Sequence, residues 1–124
     1  MNDDTALFRQ VNQSWIQQGR VTSQAFQPTA KDSNRLSVYD GDQISARSAW
    51  EHYTRKLGYE SVGVLAVLVQ ECTNSGLDTK PDPDHFPEHV KIIFDEMTKR
   101  EIKKAAKNLN LAAKSRGWQY QVDS

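Results

Sequence analysis

Two histidines, His85 and His89, stand in the segment Pro81-Asp82-Pro83-Asp84-His85-Phe86-Pro87-Glu88-His89. An H-x3-H spacing is one half of many zinc sites, because a tetrahedral ion is commonly held by two such pairs. No second pair accompanies it, since Cys72 and His52 are isolated in the chain. Pro87 lies between the two rings and breaks the helix that would set them on one face. The expectation is no metal, and two loop histidines bonded to nearby acids. Cys72 is a second chemical group, placed directly after the apolar run 62–69. Strand ends often carry catalytic groups, and His52 is a candidate base. Reactivity needs a setting that favours the thiolate, and a buried, inert cysteine is the more frequent outcome.

A third group is the segment 20–32. It is dense in hydrogen-bonding side chains, contains Phe26, and is flanked by Trp15 and Tyr39. Polar groups beside aromatic rings are the material of a small-molecule cleft. The competing reading is an edge strand and turn, with Pro28 and Lys31-Asp32 protecting the edge.

Arg9 in an early strand segment (Leu7-Phe8-Arg9-Gln10), Ser23 in the next and Glu71 at a later strand end follow one another along the chain. That order resembles the Arg, Ser and Glu of ADP-ribosyltransferase-like folds. The resemblance implies that Arg9 and Ser23 help bind NAD and that Glu71 positions the ribose. The sequence departs from the family in three ways. The spacing is compressed, Val69 replaces the Glu or Gln often found two residues before the catalytic Glu, and Thr22-Ser23 alone stands for the Ser-Thr-Ser motif. On this reading Arg9, Ser23, Gln24, Tyr39 and Glu71 build a nucleotide cleft. Arg9 holds a phosphate, Tyr39 stacks on a ring and Glu71 polarises a sugar hydroxyl. Segments 20–32, 36–41 and 86–89 also resemble those of a small bacterial family, a likeness that brings no activity with it.

The fourth group is a charged face. Lys99, Arg100, Lys103, Lys104, Lys107 and Lys114 fall within one arc of roughly 140° when residues 98–116 are wound as a helix. Glu101 is the only acid from Lys99 to Arg116. Such a face sets up a local positive field, although the formal charge of the whole chain is zero. Leu111 sits inside the arc, where core packing gives it no place. The face could meet an acidic protein surface or phosphates, or it could simply be a solvated face. An acidic stretch precedes it, with Asp78, Asp82, Asp84, Glu88, Asp95 and Glu96. That stretch is the internal rival, because folded back it would neutralise the helix.

The elements that must position these groups are legible in the hydrophobic pattern. Thr98 and Glu101 form a capping box. Ile102, Ala105, Ala106, Leu109, Ala112 and Ala113 then recur at helical spacing, and Gly117 is a stop. A second helix is expected over 45–57, with Ala46, Ala49, Trp50, Tyr53 and Leu57 on one face and Gly58 at its end. The continuous β-branched run 62–69 predicts a central strand covered on both faces. Residues 89–94 and 118–122 alternate as strands do. Further strands are expected over 7–11, 21–26 and 36–39, with Asp40-Gly41 as a turn. Residues 74–87, with Pro81, Pro83 and Pro87, read as a long ordered loop.

With 124 residues, 37% hydrophobic and 26% charged, the chain is expected to be one domain with a thin core. The fold class is α+β: a mixed sheet of about five or six strands with two main helices. A lone cysteine, an acidic start without a signal pattern and no apolar run near the roughly 20 residues a bilayer needs predict a cytosolic protein. No Gly-rich phosphate loop, G-x-S-x-G elbow or paired-cysteine motif is present, which argues against P-loop enzymes, α/β-hydrolases and zinc ribbons. The leading expectation is a non-enzymatic module that binds a partner protein, with nucleic acid as the lesser alternative, through Lys99, Arg100, Lys103, Lys104, Lys107, Leu111 and Lys114. The rival is the nucleotide-binding enzyme with the Arg9 cleft. No cofactor is required by the first.

Overall fold

A strand of continuous apolar residues has to be covered above and below and paired on both edges. Residues 62–69 meet that requirement as β5 (Gly63–Leu68). Val64, Leu65, Ala66 and Val67 are buried in it. The computed structural model describes residues 1–29 and 33–122. β1 (Ala6–Val11) pairs along the whole of β5, and β8 (Tyr120–Gln121) pairs with its other edge. β4 (Arg35–Asp40), β6 (Asp78–Pro81) and β7 (His89–Ile93) complete a six-stranded sheet of order β6-β7-β4-β1-β5-β8.

The α+β class holds, with six strands in the main sheet and two main helices. The pairing, however, is antiparallel at every ladder of the described residues, where a mixed sheet was expected. The reason is the place of β1. β4 and β5, joined through the first helix, do run parallel to each other. β1 lies between them and opposes both, so no adjacent pair is parallel.

The two faces of the sheet are covered by different helices. α3 (Lys99–Arg116) starts as the sequence predicts. Thr98 Oγ1 accepts from the Glu101 amide at 3.1 Å, and Glu101 Oε1 accepts from the Thr98 amide at 2.9 Å. Its Ala105, Ala106, Leu109 and Ala113 pack with Leu7, Val11, Leu36, Val38, Leu65, Val67 and Ile92. Small side chains let the helix lie close to the sheet, and Gly117, at φ 90°, turns the chain into β8. The opposite face carries Phe8, Tyr39, Val64 and Ala66 beneath Ala49, Trp50 and Tyr53. These last come from α1 (Ala46–Glu51), which the Ser45 hydroxyl caps, and from the turn that follows it.

Three local expectations need correction. The helix expected over 45–57 is α-helical only to Glu51 and widens into a π turn over His52–Lys56. Thr54 Oγ1 donates to the Trp50 carbonyl at 2.8 Å, and a hydroxyl that bonds the carbonyl four residues back loosens the ladder there. The strand expected over 21–26 is instead a short hairpin followed by a 3-10 turn. β2 (Ile16–Gln17) and β3 (Arg20–Val21) meet through Gln18 and Gly19, both at positive φ, the geometry of a two-residue hairpin turn. The 3-10 turn Ser23–Phe26 then buries the neighbours Ala25 and Phe26 in the same core, whereas a strand would send them to opposite faces. The loop expected over 74–87 contains edge strand β6, with Pro81 at its last position where no ladder hydrogen bond is lost. A short helix, α2 (Val69–Asn74), follows β5 without a loop. Lys31-Asp32, expected to guard an edge, lie outside the described residues.

Trp15, Trp50 and Trp118 are all partly buried against the two cores. No helix among the described residues is long and apolar enough to cross a membrane.

Candidate functional site

The ladder between β1 and β4 stops early. Leu7 pairs with Asp40 and Phe8 with Tyr39, and Gly41 donates to the Ala6 carbonyl. A Cβ at Gly41 would lie 2.5 Å from that carbonyl, so only glycine permits the close approach. Past Phe8 the two strands have no further paired residues. Continued, the register would set Gln10 opposite Ser37. Arg9 occupies the interruption from the other side. Its Nε donates to the Ala25 carbonyl at 2.7 Å and its Nη1 to the Ser37 carbonyl at 3.0 Å, while the guanidinium lies 5.0 Å from the centre of the Trp15 ring.

A cleft of about 490 Å³ opens at this interruption. Its floor is Gln10, Ser37 and Tyr39. One wall is Tyr53, Leu57 and Tyr59 from the π turn and beyond, and another is His85 and Phe86. The size is that of a small-ligand site. Gln10 is only 4% exposed, and among the described residues neither atom of its amide has a hydrogen-bond partner. A buried polar group left so costs about 1–3 kcal/mol.

Three strands place a row of polar groups on the same face. Asp82 just past β6, His89 on β7 and Ser37 on β4 are joined in sequence. His89 Nδ1 lies 3.1 Å from Asp82 Oδ2 and 3.2 Å from the Asp82 carbonyl oxygen, and Nε2 lies 3.0 Å from Ser37 Oγ. Both partners of Nδ1 can only accept, so Nδ1 carries the proton. Burial lowers the pKa of His89, against the pull of Asp82. The ring is therefore neutral at pH 7, and the bare Nε2 accepts the Ser37 hydroxyl. Burial works against the charge of Asp82, but Lys91 Nζ at 3.2 Å and His89 outweigh it and hold the carboxyl below its usual range. Tyr39 donates or accepts at His52 Nδ1 over 2.7 Å, stacks on Phe86 and is 3% exposed. Burial raises its pKa and that of Tyr53.

The residues expected to form a nucleotide site divide. Arg9, Gln24 and Tyr39 line the cleft; Ser23 and Glu71 do not. Arg9 spends Nε and Nη1 on backbone carbonyls rather than facing a phosphate, and Tyr39 is floor rather than a stacking surface. Glu71 accepts from the Leu68 amide at 2.7 Å and pairs with Arg116 at 2.8 Å. Burial opposes its ionisation, yet these two partners hold its carboxyl below the usual range. Its work is to start α2 and tie it to α3. Cys72 lies inside α2, fully buried, and burial pushes its thiol up to about 12, so it is no nucleophile. His52, its proposed base, is bonded to Tyr39 instead. His89 has both nitrogens engaged and its ring is edge-on to His85. Among the described residues no three His, Cys, Asp or Glu side chains are grouped as a metal ion needs.

On α3, Lys99, Arg100, Lys103, Lys104, Lys107 and Lys114 are all exposed, and Leu111 is 57% exposed among them. The acidic stretch does not pair with them. Asp82 turns to His89 and Lys91, and Asp95 to Arg35. Among the described residues no ion pair reaches any of the six.

Gln10 and Ser37 were not singled out from the sequence. Gln10 had a usable signal, being a lone amide within the apolar-rich strand segment 7–11, where burial leaves it no water. Ser37 had none, since its meaning depends on a histidine 52 positions away. Comparison of the chain with protein-family models, with curated proteins and with solved structures gave no match.

Proposed function

We propose that the chain is a small-molecule-binding domain whose ligand sits in the cleft between β1, β4 and the π turn. The observation that carries this reading is Gln10, which is buried at the floor with a donor and an acceptor both unmatched. An amide in that state complements a flat group that presents a carbonyl beside an N–H, as carboxamides and nucleobases do. Tyr53 and Tyr59, with ring centres 5.1 Å apart, and Leu57 supply an apolar wall for the body of such a ligand. The NAD-transferase version implied by the resemblance keeps Arg9, Gln24 and Tyr39 but has, among the described residues, no carboxylate lining the cleft to polarise a ribose.

A thermal-shift panel of nucleosides, NAD, nicotinamide and simple aryl amides tests it. A ligand at 100 times its dissociation constant stabilises by about 2.7 kcal/mol. The expected result is a rise in Tm with at least one member that disappears in Gln10→Leu. The reading fails if no member shifts the wild type, or if the shift survives the substitution.

A second reading is favoured by the unpaired basic arc of α3. Six cations around an exposed Leu111 suit an acidic partner protein, with an apolar contact at the centre and charge at the rim. Reversing Lys99, Lys103 and Lys107 to Glu should abolish recovery of a partner in a native pull-down while leaving the melting curve intact. Nucleic acid as partner would show a steep fall of affinity with salt. Recovery unaffected by the reversal removes this surface from consideration.

A further inference from the structure

We propose that the cleft is an acyl-transfer site in which Ser37 is the nucleophile, His89 the general base and Asp82 the group that orients His89, acting on a small planar ester or amide. The inference rests on the cleft reading above and names what happens to the ligand there.

Geometry carries it. A nucleophile needs a base within hydrogen-bond reach, and the base needs a third group that fixes its tautomer. Here the hydroxyl, the imidazole and the carboxylate follow in line at 3.0 and 3.1 Å. The tautomer is set by elimination, because Nδ1 faces a carbonyl and a carboxylate and must donate to them. That leaves Nε2 with a lone pair aimed at the hydroxyl. The base is held rigidly: His89 is 2% exposed and its ring packs on Phe86 at 4.9 Å. Ser37, by contrast, is exposed at the cleft floor.

The remaining requirement is a donor for the oxygen that becomes negative when the carbonyl is attacked. Gln10 supplies it. It lines the same cleft as Ser37, the β1–β4 register would set it opposite Ser37 if the ladder continued past Phe8, and among the described residues its Nε2 is buried without a partner. An unspent donor lining the nucleophile's cleft suits an oxyanion site, where its hydrogen bond to the substrate oxygen strengthens as charge develops. Tyr53, Leu57, Tyr59 and Phe86 give the acyl or leaving group an apolar wall, which selects an uncharged, flat arm.

The step balances without any further reagent. Ser37 Oγ bonds to the carbonyl carbon as its proton passes to His89 Nε2, and the carbonyl π pair moves to the oxygen facing Gln10 Nε2. The tetrahedral intermediate collapses by breaking the bond to the alcohol or amine, which takes the proton from Nε2. Water, deprotonated by the same Nε2, then attacks the acyl-serine. Its collapse returns the proton to Ser37 Oγ and releases the acid. The sum is ester or amide plus water giving acid plus alcohol or amine.

The test uses the full chain with two probes, a fluorophosphonate and p-nitrophenyl acetate. Expected are one phosphonyl adduct, mapped by mass spectrometry to Ser37, and nitrophenolate release that falls by about 10³-fold or more in Ser37→Ala. Asp82→Asn should retain the fold and lower the release rate, because the imidazolium formed during attack then loses the carboxylate that stabilises it, while the Asp82 carbonyl still receives Nδ1. Circular dichroism and the melting curve of Ser37→Ala check that the variant is folded, since the change leaves the buried His89 Nε2 without its partner. The proposal is overturned if Ser37 is unlabelled, or if nitrophenolate release is unchanged in folded Ser37→Ala. The Gln10-dependent ligand shifts separate the two ideas. Shifts without labelling leave the cleft as a binding site and remove the chemistry, whereas labelling without shifts removes the ligand class and keeps the chemistry.

Discussion

The two faces of the sheet are filled in opposite ways. Beneath α3 the interior is aliphatic and aromatic, and its one buried polar side chain on the helix, Asn110, donates to the Val21 carbonyl. Beneath α1 the interior begins the same way, with Phe8, Val64 and Ala66. It then gives way to Gln10, Ser37, Tyr39, His52 and His89 within a few residues. The first face is closed by a helix of 18 residues; the second is only half roofed, because α1 has 6 residues and its continuation is widened. Burial that is complete favours stability. Burial that is incomplete, with polar groups beneath it, leaves room for a ligand at the expense of packing, and a chain this size can do both when its sheet has two usable faces.

That contrast can be broken most forcefully at Leu109, which is fully buried under α3. Leu109→Ala should lower stability by about 2–5 kcal/mol, read as a drop in urea midpoint, and should leave Ser37 labelling intact at temperatures where the variant is folded. The cleft face should respond in the opposite direction. Gln10→Leu removes two unmatched polar atoms at similar volume and should raise stability by about 1–3 kcal/mol, seen as a higher Tm, while ligand shifts are lost. A Gln10→Leu variant that melts lower than wild type would mean the amide is satisfied in solution. A smaller effect belongs to Thr98, whose hydroxyl starts α3. Thr98→Ala should cost about 0.5–2 kcal/mol, measured by urea unfolding, without touching the cleft.

The smallest effect is in pH. His89 has a folded pKa below its unfolded value of about 6.5, so the unfolded chain binds the proton more readily. Its contribution to stability is fully present above that unfolded value and is lost as pH falls through the lower folded one. Asp82 and Lys91, on which the ring depends, and His85 beside it are the other charged or titrating groups at this spot. Asp82, also depressed, adds the same sign at lower pH, below its ordinary carboxylate range. Melting curves from pH 8 down to pH 5 should therefore decline. His89→Gln, if it folds, should flatten the decline, and an unchanged slope would assign it to other groups.

Much of the frame could be read in the residues. The capping box at Thr98 and Glu101, the small-residue stripe of α3 and the unbroken run of β5 are local patterns, and each formed where the pattern placed it. What could not be read were arrangements set by non-local pairing. Ala25 and Phe26 looked like strand because their β propensity is local, whereas the choice of a 3-10 turn depends on a core that wants both at once. At the π turn the Thr54 hydroxyl bonds the Trp50 carbonyl, a contact that the apolar spacing of 45–57 does not signal. Of the nucleotide cleft, Arg9, Gln24 and Tyr39 came together, but the roles of Arg9 and Tyr39 did not follow from their types, because the carbonyls of Ala25 and Ser37 engage the one and the ring of His52 the other. Ser37, His89 and Asp82 come from three strands, and only the register of β4, β6 and β7 makes them neighbours.

The short ladder between β1 and β4 has a mechanical consequence. It divides the sheet into two three-stranded halves, β6-β7-β4 and β1-β5-β8, joined by only two residue pairs. The joint between them has few rungs, and the Arg9 side chain bolts it by reaching to the Ser37 carbonyl. Under tension or partial denaturation the two halves should part along this seam, with the amides of residues 10 and 37 exchanging their hydrogens ahead of those in the middle of β5. A site that needs to admit and release something is then cut into a line along which the sheet yields readily.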